Sequence, residues 1–128
     1  MSALLSFSLT PVQSFIQASR TVRDLKGASL LLSTLTKAAL KAGEDLGGTA
    51  LFPAKPCGGW SDSIPNLFLM RFEDRSAANN AAMACAKAVL KRWREIATTV
   101  HAALAAVFRQ HCKNWDDGWD YQIKEFWE

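Results

Sequence analysis

The first part of the chain changes from strand-like to helix-like spacing of its hydrophobic residues. Leu5, Phe7 and Leu9 alternate with serines, which is the period-two pattern of a strand with one buried face. The next four residues, Thr-Pro-Val-Gln, are favoured at the N-cap and first turn of a helix. Apolar residues then recur at helical spacing from Val12 to Ile16. The pattern therefore predicts a strand followed directly by a helix.

A basic, polar elbow is predicted between this helix and a second one. Its charged residues are Arg20, Arg23, Asp24 and Lys26. We expect the second helix to open at residues 27–29 and to end at Gly43. A helix N-terminus presents unpaired N–H groups and arginine donates paired hydrogen bonds, so this geometry suits the phosphates of a nucleotide. The alternative is a solvated loop in which an Arg-Asp pair pins the two helices.

The rest of the chain has four further predicted elements. They are a short strand at residues 49–52, a strand at 66–72, a long helix over 77–110 and a short amphipathic helix over 119–127. The two strands are expected to pair as an antiparallel hairpin. The long helix either breaks near Thr98-Thr99, or its far half packs on something outside this chain. We interpret Asp116-Asp117 as a capped, solvated turn before the last helix.

The buried stripe of the long helix is predicted from apolar residues three and four positions apart. These residues are Met83, Ala86, Leu90, Trp93, Ala97, Val100, Leu104, Val107 and Phe108.

This order of elements predicts an α+β fold. A ferredoxin-like palm has the order βαββαβ, and the chain has this order without the last strand and with a long second helix. The 128 residues amount to one domain. We therefore interpret residues 1–128 as one domain and as a portion of a larger, multidomain protein.

Several segments, taken in order, resemble a known family. They are Pro-Val-Gln-x-Phe-Ile, Arg-x-x-Arg-Asp-Leu and Ser-x-x-Leu-Ser within residues 11–33, then Leu51-Phe52-Pro53, Ile64-Pro65-Asn66-Leu67-Phe68 and the terminal residues 122–127. The ordered set is similar to the first palm domain in the large, cyclase-like subunit of type III-B CRISPR effector complexes. Thr10 and Lys26-Gly27-Ala28 depart from the family pattern, which has glycine and Trp-Ala-Gly there.

The resemblance implies a non-catalytic domain that helps to bind ATP. Intact subunits of this family join ATP into cyclic oligoadenylates in antiviral defence when foreign RNA is bound to the guide RNA. The residues that the resemblance assigns to nucleotide binding are Ser29, Arg20, Arg23 and Asn66. Magnesium or another divalent ion would be held by a Gly-Gly-Asp-Asp turn in the second palm, which this chain lacks. No catalytic residue or metal ligand is assigned here, and the chain alone is expected to be catalytically silent.

The implied partners are the second palm of the same subunit and the other subunits of the complex, with guide and target RNA as indirect partners. The net charge and the cysteine content are compatible with these partners and with a cytoplasmic protein. A net charge of +3 permits contact with RNA or phosphates without requiring it. The cysteines form no C-x-x-C pair, which favours reduced thiols in a cytoplasmic protein. No apolar run reaches the ~20 residues that a membrane span needs.

Two functions of other classes stay open. One is a small α+β protein-interaction module with no nucleotide role. The five tryptophans favour it, because tryptophan is enriched at interface hot spots. The other is a stand-alone RNA-binding domain, in which aromatic residues such as Trp119 and Trp127 stack on bases. Such a domain would bind RNA with a steep dependence on salt.

Overall fold

A computed structural model describes the backbone of residues 1–127 and the side chains of residues 1–124. Its elements are β1 (Ala3–Ser8), α1 (Val12–Gln17), α2 (Val22–Asp45), β2 (Thr49–Phe52), β3 (Leu67–Phe72), α3 (Arg75–His111) and α4 (Trp115–Trp127). The predicted α+β class is confirmed, and the order of elements is compatible with a ferredoxin-like fold without its last strand. The chain divides into two compact units, which we call the first unit (Met1–Val89) and the second unit (Leu90–Glu128).

The three strands form one antiparallel sheet with β3 in the middle. The strand order is β1-β3-β2, and Leu5 and Phe7 of β1 lie opposite Met70 and Phe68 of β3. The predicted antiparallel pairing of β2 with β3 is confirmed, with an irregular register between Ala50 and Phe52. The first strand therefore reaches β2 only through β3.

The core of the first unit lies on one face of this sheet. Phe68, Met70 and Phe72 alternate with more exposed neighbours along β3 and are buried, as the period-two pattern predicts. They pack in one cluster with Ala39 and Leu40 of α2. The cluster also contains three small side chains from the first turns of α3, Ala78, Ala81 and Cys85.

The buried stripe of α3 differs from the predicted one. Met83 is 64% exposed, whereas Ala81 and Cys85 are fully buried. The stripe in the first unit consists of small residues, so a pattern that weights large hydrophobic side chains selects the wrong face. Thr98 and Thr99 do not break the helix, which is continuous from Arg75 to His111. None of the described helices combines the length and apolar character needed to cross a bilayer.

Helix α2 begins and ends at different residues from those predicted. It starts at Val22, because the Thr21 hydroxyl caps it and accepts a hydrogen bond from the Asp24 backbone N–H at 3.1 Å. It continues through Gly43 to Asp45, and Gly47 then adopts a φ of 89° that favours glycine. The predicted cap at Thr10 is also wrong, since α1 has Pro11 at its N-cap and no side-chain cap.

Helix α4 packs on the last turns of α3 within the second unit. Trp115 stacks on Phe108 with 4.7 Å between ring centroids, and Trp119 lies 5.6 Å from the His101 ring. The helix begins at Trp115, so the predicted turn at Asp116-Asp117 is wrong. Both carboxylates lie in the first helical turn, where they interact favourably with the helix dipole. The side chain of Trp127, a predicted stacking residue, lies outside the described residues.

Candidate functional site

A shallow groove of about 370 Å³ lies where α1 meets the start of α2 in the first unit. One wall is the face of α2 that carries Asp24, Gly27 and Leu31, which recur at helical spacing. Phe15 of α1 and Arg20 of the connecting residues also line it. A Cβ atom added at Gly27 would have no other atom within 4 Å, so the groove is open at that point.

The electrostatics of the groove differ from those of the predicted elbow. The Asp24 carboxylate accepts a hydrogen bond from the Arg20 backbone N–H at 3.3 Å, while Thr21 accepts from Asp24 N–H. Two N–H groups near the start of α2 therefore already have partners, and a carboxylate balances the positive end of the helix dipole. Residues 27–29 lie inside the helix, so the prediction of a phosphate-binding N-terminus there is wrong. The Arg20 guanidinium is the cation that the groove offers to an anion.

Of the four residues predicted to bind nucleotide, Arg20 lines the groove and three lie elsewhere. Arg23 and Ser29 are exposed on α2, outside the lining. Asn66 is half-buried directly before β3, and its side-chain amide donates a hydrogen bond to the Leu9 carbonyl at 3.0 Å. The Leu9 N–H in turn donates to the Asn66 carbonyl at 2.9 Å. Asn66 thus extends the pairing of β1 with β3.

Ser29 lies one helical turn before Ser33 on α2. The Ser33 hydroxyl donates to the Ile64 carbonyl at 3.1 Å and accepts from the Ile64 N–H at 3.3 Å. These bonds tie α2 to the loop that precedes Asn66. Ser29 therefore stands near the face of α2 that meets this loop, whereas Arg20 belongs to the groove beside α1.

Comparison with known protein families finds a match for about the first two-fifths of the chain. Residues 4–55 match the family CRISPR-associated protein Cmr2, N-terminal. The match supports a relationship of this part of the chain to the N-terminal region of the Cmr2 large subunit of type III-B CRISPR complexes. The matched residues include every residue that lines the groove, but they do not include Asn66. No curated protein and no solved structure shows a significant match to the chain.

The groove wall was not predicted from the sequence, because the predicted start of the second helix was too late. The sequence signal was present, since Thr21-x-x-Asp24 has the spacing in which an N-cap hydroxyl meets the third helical residue. A helix that starts at Val22 puts Asp24, Gly27 and Leu31 on one face, whereas a loop at these positions does not.

A second polar cluster, outside the Cmr2 match, joins α4 to α3 in the second unit. One Asp116 carboxylate oxygen lies 2.8 Å from His101 Nε2 and accepts from an Arg109 terminal nitrogen at 2.9 Å. Arg109 Nε also donates to the other oxygen at 3.1 Å. We call these three residues the Asp116 clasp. Among the described residues, no group of three or more His, Cys, Asp or Glu that could hold a metal ion is found.

The clasp makes the attachment of α4 sensitive to acid. Hydrogen bonding to Arg109 holds the pKa of Asp116 below its usual range, and the carboxylate raises the pKa of Arg109. A carboxyl whose folded pKa is depressed stabilises the fold above its unfolded pKa of ~3.9 and loses that contribution as the pH falls through the folded value.

We therefore expect the indole N–H signal of Trp115 to change in NMR spectra as the pH is lowered from about 5 to about 2. Asp116→Asn should abolish this acid-dependent change, because an amide has no proton to gain. Asp117→Asn removes the neighbouring carboxylate and is the matched control, which should titrate like the wild type. An unchanged titration in Asp116→Asn would show that the clasp does not fasten α4.

Proposed function

We propose that this chain forms the non-catalytic, first-palm side of an ATP site in a Cmr2 large subunit that synthesises cyclic oligoadenylates. The Cmr2 match supports the coarser role, a part of the type III-B effector subunit that works with the other subunits of that complex. The observation that supports ATP binding is the open groove with Arg20 at its edge, inside the matched residues.

The groove offers three kinds of contact that a nucleotide needs. Arg20 can donate paired hydrogen bonds to phosphate oxygens. The Asp24 carboxylate can accept hydrogen bonds from ribose hydroxyls. Phe15 and Leu31 give apolar surface for the base. Arg23, Ser29 and Asn66 stay proposed contacts, reached by the nucleotide from outside the groove.

The chemistry of phosphoryl transfer is assigned to the second palm. A divalent ion held there would neutralise charge on the transferring phosphate. The residues of this chain position ATP and exclude water from one side.

Replacing Arg20 tests this proposal directly. In a type III-B complex whose large subunit carries this sequence, Arg20→Ala is expected to raise the Kd for ATP with magnesium about tenfold, since a hydrogen bond to a charged group contributes about 1.5 to 3 kcal/mol. Isothermal titration calorimetry measures the change. Lys41→Ala removes an exposed cation farther along α2 and should leave the Kd unchanged.

Arg23→Ala and Ser29→Ala extend the same titration to the other exposed residues. If all three variants bind ATP like the wild type, the nucleotide role of this chain is wrong, and a docking role remains.

The docking function has its own support in the second unit. Val100, Leu104 and Val107 are 39%, 36% and 58% exposed and lie on one face of α3. An apolar helix face of this kind is typical of a surface that packs on a partner. A small interaction module without a nucleotide role is therefore the second candidate, and the ATP titration separates the two.

A further inference from the structure

The second unit contains a cleft of about 250 Å³ between α3 and α4, remote in sequence from the groove beside α1. Two small residues of α3, Ala97 and Thr98, line it. Ala97, 6% exposed, forms part of the floor together with the half-buried Ile123. Thr98 lies at the side with its side chain exposed. The floor is thus apolar, and the entrance is open to solvent.

One wall of this cleft is aromatic and held in position. Trp119 and His101 both line it, with ring centroids 5.6 Å apart and ring planes tilted by 37°. The Trp119 ring also lies 5.3 Å from Trp115. Because the Asp116 clasp fixes His101 at 2.8 Å, the wall has little freedom to collapse into the space. Such a surface suits the face of a planar ring.

The described rim of the cleft carries charged side chains of both signs. Among the residues whose side chains are described, Arg94, Lys124 and Asp120 are the charged groups that line it. Within residues 1–124, for which side chains are described, Lys124 forms no hydrogen bond or ion pair. An exposed ammonium beside an aromatic wall is suited to a ligand in which a phosphate is attached to a ring system.

We propose that this cleft binds a nucleoside monophosphate group, with its base against Trp119 and its phosphate at Lys124. Asp120 is placed to accept hydrogen bonds from the sugar hydroxyls. The volume of about 250 Å³ limits the ligand to one nucleotide, since pockets for larger small molecules measure about 300 to 1,000 Å³. The group comes either from a free nucleotide or from the terminal nucleotide of an RNA strand. This site does not depend on the ATP proposal, because it shares no residue with that groove.

Titration of the whole chain with AMP tests this site. The indole N–H signal of Trp119, assigned with Trp119→Phe, is expected to shift in a saturable manner in NMR spectra. Lys124→Glu should weaken binding about tenfold, because it replaces a phosphate partner by a like charge. Lys113→Glu makes the same charge change at an exposed position outside the cleft lining, and should change the affinity less than about twofold.

Two further titrations separate the contribution of the nucleoside from that of the phosphate, and distinguish a free nucleotide from the end of an RNA strand. Adenosine and inorganic phosphate should each bind more weakly than AMP, because each lacks one of the two contacts. A short oligoadenylate with a 5′ phosphate that binds more tightly than AMP, with the same dependence on Lys124, identifies an RNA end as the source. Equal affinities identify the free nucleotide.

Thr98→Phe gives an independent check that leaves the charges unchanged. Its ring should fill the cleft from the exposed side of α3 and abolish the AMP-dependent shift, while circular dichroism confirms that the helices remain folded. The proposal is overturned if AMP produces no saturable shift of the Trp119 signal. Equal weakening by Lys124→Glu and Lys113→Glu would overturn it as well, since binding would then follow net charge alone.

Discussion

Phe68→Ala is expected to lower the free energy of unfolding by about 3 to 5 kcal/mol, the largest effect of any single change considered for this chain. Phe68 is fully buried on the central strand and stacks on Phe7 of β1 with 5.0 Å between ring centroids. Its removal deletes apolar contact and leaves a cavity below β1.

Leu67→Ala is the matched control for this prediction. Leu67 is the preceding residue of the same strand, points to the opposite face of the sheet and is 42% exposed. We expect its loss to cost less than about 1 kcal/mol, since little additional surface is exposed. Urea denaturation followed by circular dichroism compares the two variants. Equal destabilisation by the two variants would contradict the assignment of the core to the face of the sheet that carries Phe68.

Gly48→Ala should destabilise the first unit by about 1 to 3 kcal/mol, because the residue leaves no room for a side chain. A Cβ atom at this position would lie 2.6 Å from Phe72 Cζ and 2.8 Å from the Gly43 carbonyl oxygen. A phenyl ring can shift slightly, but the backbone carbonyl already accepts a hydrogen bond from the Gly48 N–H at 3.0 Å. Relief of the contact would therefore separate the end of α2 from the strand that follows.

Gly27→Ala tests the same substitution at an open position. Gly27 lies inside α2, and no atom stands within 4 Å of the added Cβ. Alanine should stabilise the helix there by about 0.5 to 1 kcal/mol, since it has the higher helix propensity. Thermal unfolding of both variants gives the comparison. A loss of stability in Gly27→Ala, or none in Gly48→Ala, would contradict the packing described for α2.

Strand positions could be predicted because the alternation of buried and exposed residues in a strand is visible within a few consecutive residues. The alternation from Leu5 to Leu9 correctly assigns the more buried residues there, and the alternation along β3 separates Phe68 and Met70 from the more exposed face without deciding which face is buried. Helix boundaries were less predictable where one signal competed with another. The helix starts were predicted near Thr10 and Gly27 because proline and glycine often mark helix ends. In the structure, the Thr21 cap sets the start of α2.

The candidate site could be predicted only in part for a different reason. Arg20, which the basic elbow and the family resemblance singled out, lines the groove, and its contact with a nucleotide stays a prediction. The role of Asn66 in joining β3 to Leu9, and that of Asp116 in joining α4 to α3, depend on partners distant in sequence. Periodicity contains no information on such pairs, so a polar residue that fastens the fold looks the same as one that binds a ligand.

The central position of β3 has a consequence for how the protein forms during translation. β1 leaves the ribosome before its pairing partner β3, which ends at Phe72, far later in the chain. Until then Leu5 and Phe7 have no sheet to join, and the nascent chain keeps apolar residues accessible to chaperones. Contacts between such distant residues also slow folding. Assembly of the sheet is therefore a late event, completed only after the central strand β3 has been synthesised.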